Sequence, residues 1–162
     1  MSAEIAYRDL NDGEEVEACL MIIDCFNEFI APAYADVGVM EFLKYVVPDN
    51  MKTRMRDGSS VLVAATDDII IGVIEIHPNN FVTLLFVKKE FHHRGIARHL
   101  LELAIEKCGE IPGGSTVLEA ISSRFALPIY NKLGFVATDT EQEIKGVKFI
   151  PMMLHLQSGA GT

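Results

Sequence analysis

Between Val61 and Val87 the chain is written largely in β-branched and aromatic residues, in three runs: Val61 to Ala65, Ile69 to Ile76 and Phe81 to Val87. Thr66, Asp67 and Asp68 separate the first two, and Pro78, Asn79 and Asn80 the last two. Connectors this short suit hairpins, so the pattern predicts three antiparallel strands. On either side the apolar period becomes that of a helix. Val16, Cys19, Leu20, Ile23 and Ile30 share one face along the run from Glu14 to Phe29. Ala97, Leu100, Leu101, Ala104, Ile105 and Cys108 share one face of another. Hairpins flanked by amphipathic helices predict a mixed α/β domain, mostly antiparallel, with helices on both sheet faces. A length of 162 residues suits a single domain over 1–162.

The remaining segments fit that frame. Ile5 to Arg8 reads as an opening strand, followed by Asn11, Asp12 and Gly13 as turn and cap. Ala31 to Gly38 reads as an inter-helix loop, Val37 to Val47 as a short second helix closed by Pro48, and Asp49 to Gly58 as polar and weakly helical. Pro112, Gly113 and Gly114 precede a strand over Thr116 to Ile121. A short helix over Ala126 to Leu133 is stopped by Gly134. Phe135 to Ala137 and Val147 to Leu156 read as two last strands around a polar turn.

Charge excludes some partners. With 23 acidic against 14 basic side chains, a formal charge of -9, the surface repels phosphate backbones and anionic lipid, so no nucleic acid and no membrane is expected. Amine-bearing substrates are compatible with this balance, as is the plainer reading that acidity keeps an intracellular protein soluble. No apolar run approaches the roughly 20 residues of a membrane span, and the opening MSAEIAYRDL lacks a signal-type stretch, so the expectation is cytoplasmic. Cys19, Cys25 and Cys108 are odd in number and lack metal-type spacing, which argues for buried thiols and no metal.

The most informative segment is Leu84 to Leu101, LLFVKKEFHHRGIARHLL, in which a strand runs into a turn that opens a helix at Gly95. Helix starts carry unpartnered N–H groups and a positive dipole end, which together accept an anion such as a pyrophosphate. His92, His93, Arg94, Gly95, Ile96 and Ala97 resemble the acetyl-CoA pyrophosphate motif of the GCN5-related N-acetyltransferases, which runs Gln or Arg, two residues, Gly, one residue, Gly or Ala. His92 departs from the usual first residue. Ala126, Tyr130, Gly134 and Phe135, within SRFALPIYNKLGF, resemble the later motif of the same family. Ser123 stands where the family often has Asn, and GVKFIPM from Gly146 to Met152 is similar to its final strand.

The resemblance implies a sheet that splays after the fourth strand, with the pantetheine arm of acetyl-CoA bound by backbone groups near Leu85 and Val87 and by Ser123. A plain core strand is compatible with the same apolar residues. It also implies direct attack by a primary amine, of a small molecule or a peptide, on the thioester of this cosubstrate, with Tyr130 protonating the departing thiolate. Glu75, an acidic residue in the apolar run IIIGVIEIH, is the candidate for drawing the amine's proton or holding a substrate cation. His77 lies two residues on, with an ordinary pKa near 6.5 that suits a base. It joins Tyr34 and Asp36 of the inter-helix loop as the candidate acceptor site. The alternative from a different class is a non-catalytic acyl-CoA binding regulatory module. A homodimer is left open.

Overall fold

The computed structural model describes residues 4–78, 80–109 and 117–156. The turn at Pro112 to Gly114, the start of the strand at Thr116, Asn79 and the Cys108 side chain lie outside what is described. The elements run β1 (Ala6–Asp9), α1 (Glu15–Phe29), α2 (Asp36–Tyr45), α3 (Pro48–Arg56), β2 (Ser60–Thr66), β3 (Ile69–His77), β4 (Phe81–Val87), α4 (Ile96–Gly109), β5 (Val117–Ser122), α5 (Leu127–Lys132), β6 (Val136–Ala137), β7 (Gln142–Ile144) and β8 (Val147–His155). The strands lie in the order β1-β2-β3-β4-β5-β8-β6, with β7 on β8. β4 and β5 are parallel; the other pairs are antiparallel. This is the open, mixed α/β sheet that the sequence predicts.

Each face has its own core. Ala18, Cys19 and Ile22 of α1 and Met51 of α3 bury against Val63, Val73 and Leu84. On the opposite face Leu100 and Ala104 of α4 bury against Leu62, Ile74 and Val82. The burial alternates because successive strand residues point to opposite faces. The start of α1 is tied down by Glu14, which accepts from the Asn11 N–H at 2.8 Å and from both terminal nitrogens of Arg8 at 2.7 and 2.8 Å.

Three segments are more ordered than their composition suggests. Pro48 does not merely close α2: it occupies the first turn of α3, where a missing N–H costs nothing. The polar α3 is held by Met51, which is fully buried, and by Arg54, which reaches under the sheet. Between Ala31 and Gly38 the chain makes a 3-10 turn at Ala31–Ala33, and α2 begins already at Asp36. The polar turn before β8 contains β7, joined to β8 through Lys145 and Gly146 at φ 53° and 82°. Two such residues make a tight hairpin whose twist matches the strands.

That hairpin meets α2. A Cβ on Gly38 would overlap the Gly146 carbonyl, and nearby the Tyr34 hydroxyl donates to the Lys148 carbonyl at 2.7 Å. The two contacts pin the α1–α2 connection onto β8. Gly38→Ala should therefore cost about 1–3 kcal/mol, the usual penalty for forcing a methyl into packed backbone. Urea unfolding of the variant measures it, and an unchanged midpoint would show that the hairpin shifts freely.

Candidate active site

Parallel pairing between β4 and β5 covers only Phe81 with Glu119 and Val82 with Ala120. It stops where β4 carries an extra residue. Glu75 pairs with Leu84 and Ile76 with Val82, leaving Thr83 without an opposite number. A bulge of this kind bends its strand, and from Thr83 onward β4 and β5 part. The Lys88 N–H donates to the Ile71 carbonyl at 2.8 Å. By antiparallel alternation Phe86 and Leu84 also bond toward β3, so Leu85 and Val87 turn their N–H and C=O groups into the gap.

The gap opens into a cavity of about 320 Å³ that passes through the sheet. Its walls come from α1 and α2 on one face, the start of α4 and the second half of α5 on the other, and the start of β8. Leu85, Val87, His92, His93, Gly95, Ile96, Ala97, Ser123, Tyr130 and Tyr34 all line it, so ten residues expected at a site do meet in one place. Arg94 does not line it; its guanidinium lies 5.2 Å above the Phe91 ring. Leading into α4, His93 and Gly95 adopt left-handed backbone, φ 64° and 76°. A Cβ on Gly95 would meet nothing within 4 Å, so the glycine is needed for conformation and leaves open space before the helix start. His92 Nε2 lies 2.8 Å from the Val87 carbonyl and caps one of the backbone groups facing the gap.

Tyr130 is placed by the way α5 ends. Gly134, at φ 103°, lets its N–H reach the Asn131 carbonyl at 3.1 Å, while the Phe135 N–H reaches the Tyr130 carbonyl at 3.0 Å. These paired bonds are the helix stop in which residues 130 and 135 also make an apolar contact. Here that contact is an edge-on pair of rings with centroids 5.3 Å apart. The spacing of Tyr130, Gly134 and Phe135 is therefore a cap that fixes a phenol. The ring is buried, and its hydroxyl has no hydrogen-bond partner among the described residues. Burial raises its pKa well above 10.0, keeping it protonated at neutral pH. Since the folded value exceeds the unfolded one, the associated stability is complete below about pH 10 and is lost as pH rises further.

Ser123 starts the same helix by accepting the Ala126 N–H at 3.1 Å, which leaves its O–H to donate. Cys25 lines the cavity with its Sγ 3.7 Å from the Val87 carbonyl, and burial pushes the thiol up to about 11. It is a poor nucleophile at neutral pH.

The other three candidates stand apart from the cavity wall. Asp36 is exposed in the first turn of α2. Glu75 is fully buried, its two oxygens held by Arg54 at 2.7 and 3.0 Å. His77 is part-exposed, with Nε2 2.9 Å from the Tyr45 hydroxyl. Sequence reasoning passed over Tyr45, Arg54 and Thr83. Their only signal was a buried Glu that needs a cation, and nothing local shows which cation arrives. It also passed over the aromatic wall. Seven of the nine phenylalanines line the cavity, among them Phe26, Phe42 and Phe86, while no described lining residue is Asp or Glu.

An apolar cleft through a splayed sheet, with a helix start at one end and a buried phenol at its side, suits a long thioester-bearing cosubstrate. Residues 30–156 match the family model described as Acetyltransferase (GNAT) domain. The chain belongs to the GNAT acetyltransferase family. It is an acyl-CoA dependent N-acetyltransferase with acetyl-CoA as cosubstrate, and it acts on an amine. No curated protein matches it in sequence. Among solved structures it is similar to the PaiA N-acetyltransferase of Thermoplasma acidophilum in complex with coenzyme A, at 21% identity and a TM-score of 0.76 over 94% of this chain and 99% of that one. The GCN5-related N-acetyltransferase of Rhodopseudomonas palustris is similar at 19% identity and 0.74, over 96% and 99%. The ribosomal-protein-alanine N-acetyltransferase of Brucella melitensis is similar at 18% and 0.66, over 93% and 99%. At these identities the likeness establishes the shared fold.

The residues present fit the cosubstrate: backbone polar groups face the gap, and the Gly95 position is open. Replacing Gly95 by Val would put a branched side chain into that space and strain the left-handed backbone by about 1–2 kcal/mol. Acetyl-CoA affinity should fall at least about tenfold, the penalty of a lost or blocked anion contact being of order 1.4 kcal/mol or more. Calorimetry on the folded variant tests this, and unchanged affinity would show that acetyl-CoA does not use this helix start.

Proposed function

We propose that the chain acts as a single domain over residues 1–162, transferring the acetyl group of acetyl-CoA to the primary amine of an apolar or aromatic acceptor, a small molecule or a peptide. The observation that carries the acceptor class is the cavity wall of Phe26, Phe42, Phe86, Tyr34 and Phe149, with no carboxylate among its described residues. A polyamine would desolvate its second cation there without a partner. An apolar amine brings one charge, which is lost before attack. Two buried free thiols, Cys19 and Cys25, suit a reducing, cytoplasmic setting.

The roles follow from position. The start of α4 at Gly95 to Ala97, with His92 and His93 beside it, would hold the pyrophosphate. Arg94 would add charge from outside the cavity. Leu85, Val87 and Ser123 would hold the pantetheine arm by strand-like bonds, and His92 would release the Val87 carbonyl for it. The coenzyme A bound to the Thermoplasma acidophilum relative supports this use of the gap. Tyr34, braced on β8, would line the acceptor side; burial, with Glu141 adding, pushes its phenol to about 12, so it remains a neutral wall. Tyr130 would protonate the sulfur as the C–S bond breaks. A thiol-release assay against phenylalkylamines, amino acids, aminoglycosides, polyamines and peptides tests the acceptor class, with arylalkyl or apolar peptide amines expected to lead. Preference for spermidine-type polycations would sink it.

Phenylalanine at position 130 keeps the ring and loses the acid. Tyr130→Phe should lower kcat by about 10², the lower end of general-acid contributions, with acetyl-CoA affinity intact. Because burial raises the Tyr130 pKa, any wild-type rate loss from its ionisation should begin above pH 10 and be missing in the variant. Wild-type turnover by Tyr130→Phe at every pH would leave the residue as packing.

A further inference from the structure

Thr83 is both the extra residue of the β4 bulge and part of the cavity wall. Its Oγ1 lies 2.7 Å from the Tyr45 hydroxyl, and that hydroxyl lies 2.9 Å from Nε2 of His77. The His77 side chain is 30% exposed. Three hydrogen-bonding groups thus connect the interior of the cavity to water behind the sheet, each within hydrogen-bond distance of the next. We infer that Thr83, Tyr45 and His77 form a proton relay that carries the acceptor's ammonium proton out of the cavity. The inference rests on acetyl transfer taking place in this cavity.

The step balances as follows. The ammonium N–H gives its proton to Thr83 Oγ1 while Thr83 passes its own hydroxyl proton to the Tyr45 oxygen. Tyr45 in turn passes its own to His77 Nε2. The amine is left neutral for attack and both hydroxyls are regenerated. The imidazolium of the part-exposed His77 loses one proton to water, and exchange with water returns the remaining proton to Nδ1 while the two hydroxyls rotate back, so that Nε2 is again an acceptor. Neither hydroxyl acts as the final base, so neither needs to ionise. Burial, and next Glu75, push Tyr45 up to about 12, which keeps it protonated between turnovers.

Arg54 makes this geometry possible. Its guanidinium lies 3.6 Å above the Tyr45 ring and donates to the Tyr45 carbonyl at 2.7 Å. At the same time it occupies both oxygens of Glu75. Glu75, 3.4 Å from both His77 Nε2 and the Tyr45 hydroxyl, is thereby committed to Arg54 and acts as a positioning residue. The titratable and charged groups around His77 are Glu75 on its own strand, Tyr45 from α2 and, one contact further, Arg54 from α3.

The relay predicts a pH profile that a packing role would not. With it, kcat/KM for the amine levels off well below the amine's own pKa, because the bound ammonium can be deprotonated in place. Without it, the protein must wait for free amine, whose fraction rises tenfold per pH unit below the amine's pKa near 10. Tyr45→Phe keeps the ring under Arg54 and should lower kcat/KM about 10² at pH 7, the deficit shrinking toward pH 9. His77→Gln, at the part-exposed end of its strand, should reproduce that slope even if Tyr45→Phe folds poorly. The double variant should lose no more than either single one, since the residues act as a unit. Acetyl-CoA affinity, measured by calorimetry, should not move.

Wild-type levelling retained by either single variant, or losses that multiply in the double variant, would overturn the relay. The profile is taken with whichever amine the wild-type protein acetylates fastest. A ranking led by polyamines would then overturn the apolar acceptor class, while the slope alone would still decide the relay.

Discussion

The structure depends on β4 losing one of its two neighbours halfway along. A buried strand must satisfy its backbone on both sides, and beyond Val82 nothing from β5 does so. Leu85 and Val87 therefore present strand-type donors and acceptors to a cleft lined by apolar side chains, a combination that an extended amide-bearing ligand can complete. In the structure the Val87 carbonyl is already matched by His92 Nε2. The cost of unpaired backbone is felt at this site, and it is met by a side chain that a ligand can displace.

The two helices at the cleft are fixed by local rules independent of the ligand. Left-handed backbone at His93 and Gly95 sets where α4 begins. Gly134 sets where α5 ends, and the ring of Phe135 holds that of Tyr130. A phenol with no partner among the described residues sits at the wall as a consequence of how a six-residue helix stops. The short spacings of the two motifs are thus backbone requirements as much as chemical ones. This is why they are legible in a sequence.

What sequence carried, and what it did not, divides along that line. The hairpins from Val61 to Val87, the amphipathic face of α4 and the turns at Gly95 and Gly134 depend on neighbours in the chain and are present as expected. By contrast, α1 buries a different face from the one its spacing predicts: Val16 and Leu20 are exposed, and Ala18, Ile22, Cys25 and Phe26 join Cys19 in the core because tertiary packing overrides the local pattern. The short β7 was missed because its three residues are all exposed and two of them, Gln142 and Glu143, are polar, leaving only the Lys145-Gly146 turn as a signal. The partners of Glu75 come from α2 and α3, 30 and 21 residues away. The apolar run around Glu75 marked the carboxylate as unusual without showing that it is buried, and no local pattern could name Arg54 as its counter-ion. The Thr83 bulge was equally silent, since FVTLLFV reads as an ordinary strand whether or not one residue is left over.

The charge distribution ties these features together. A chain of net charge -9 repels a cosubstrate that carries several phosphate charges, yet screening confines such repulsion to about 8 Å at physiological ionic strength. Groups near the cleft therefore dominate, and its described lining carries basic side chains, His92, His93, Arg98, Lys132 and Lys148, and no carboxylate, while Glu28, Glu90 and Glu141 act on it from behind, through Cys25 and Tyr34. Arg98 from α4 donates to the Lys132 carbonyl of α5 at 2.7 Å, so the basic residues also join the two helices that flank the opening. Elsewhere the wall is aromatic, and Glu75, fully buried outside the lining, has both carboxylate oxygens paired with Arg54. An overall acidic protein can in this way present a basic entrance and a neutral interior, because the carboxylates that set its net charge lie outside the lining of the cleft.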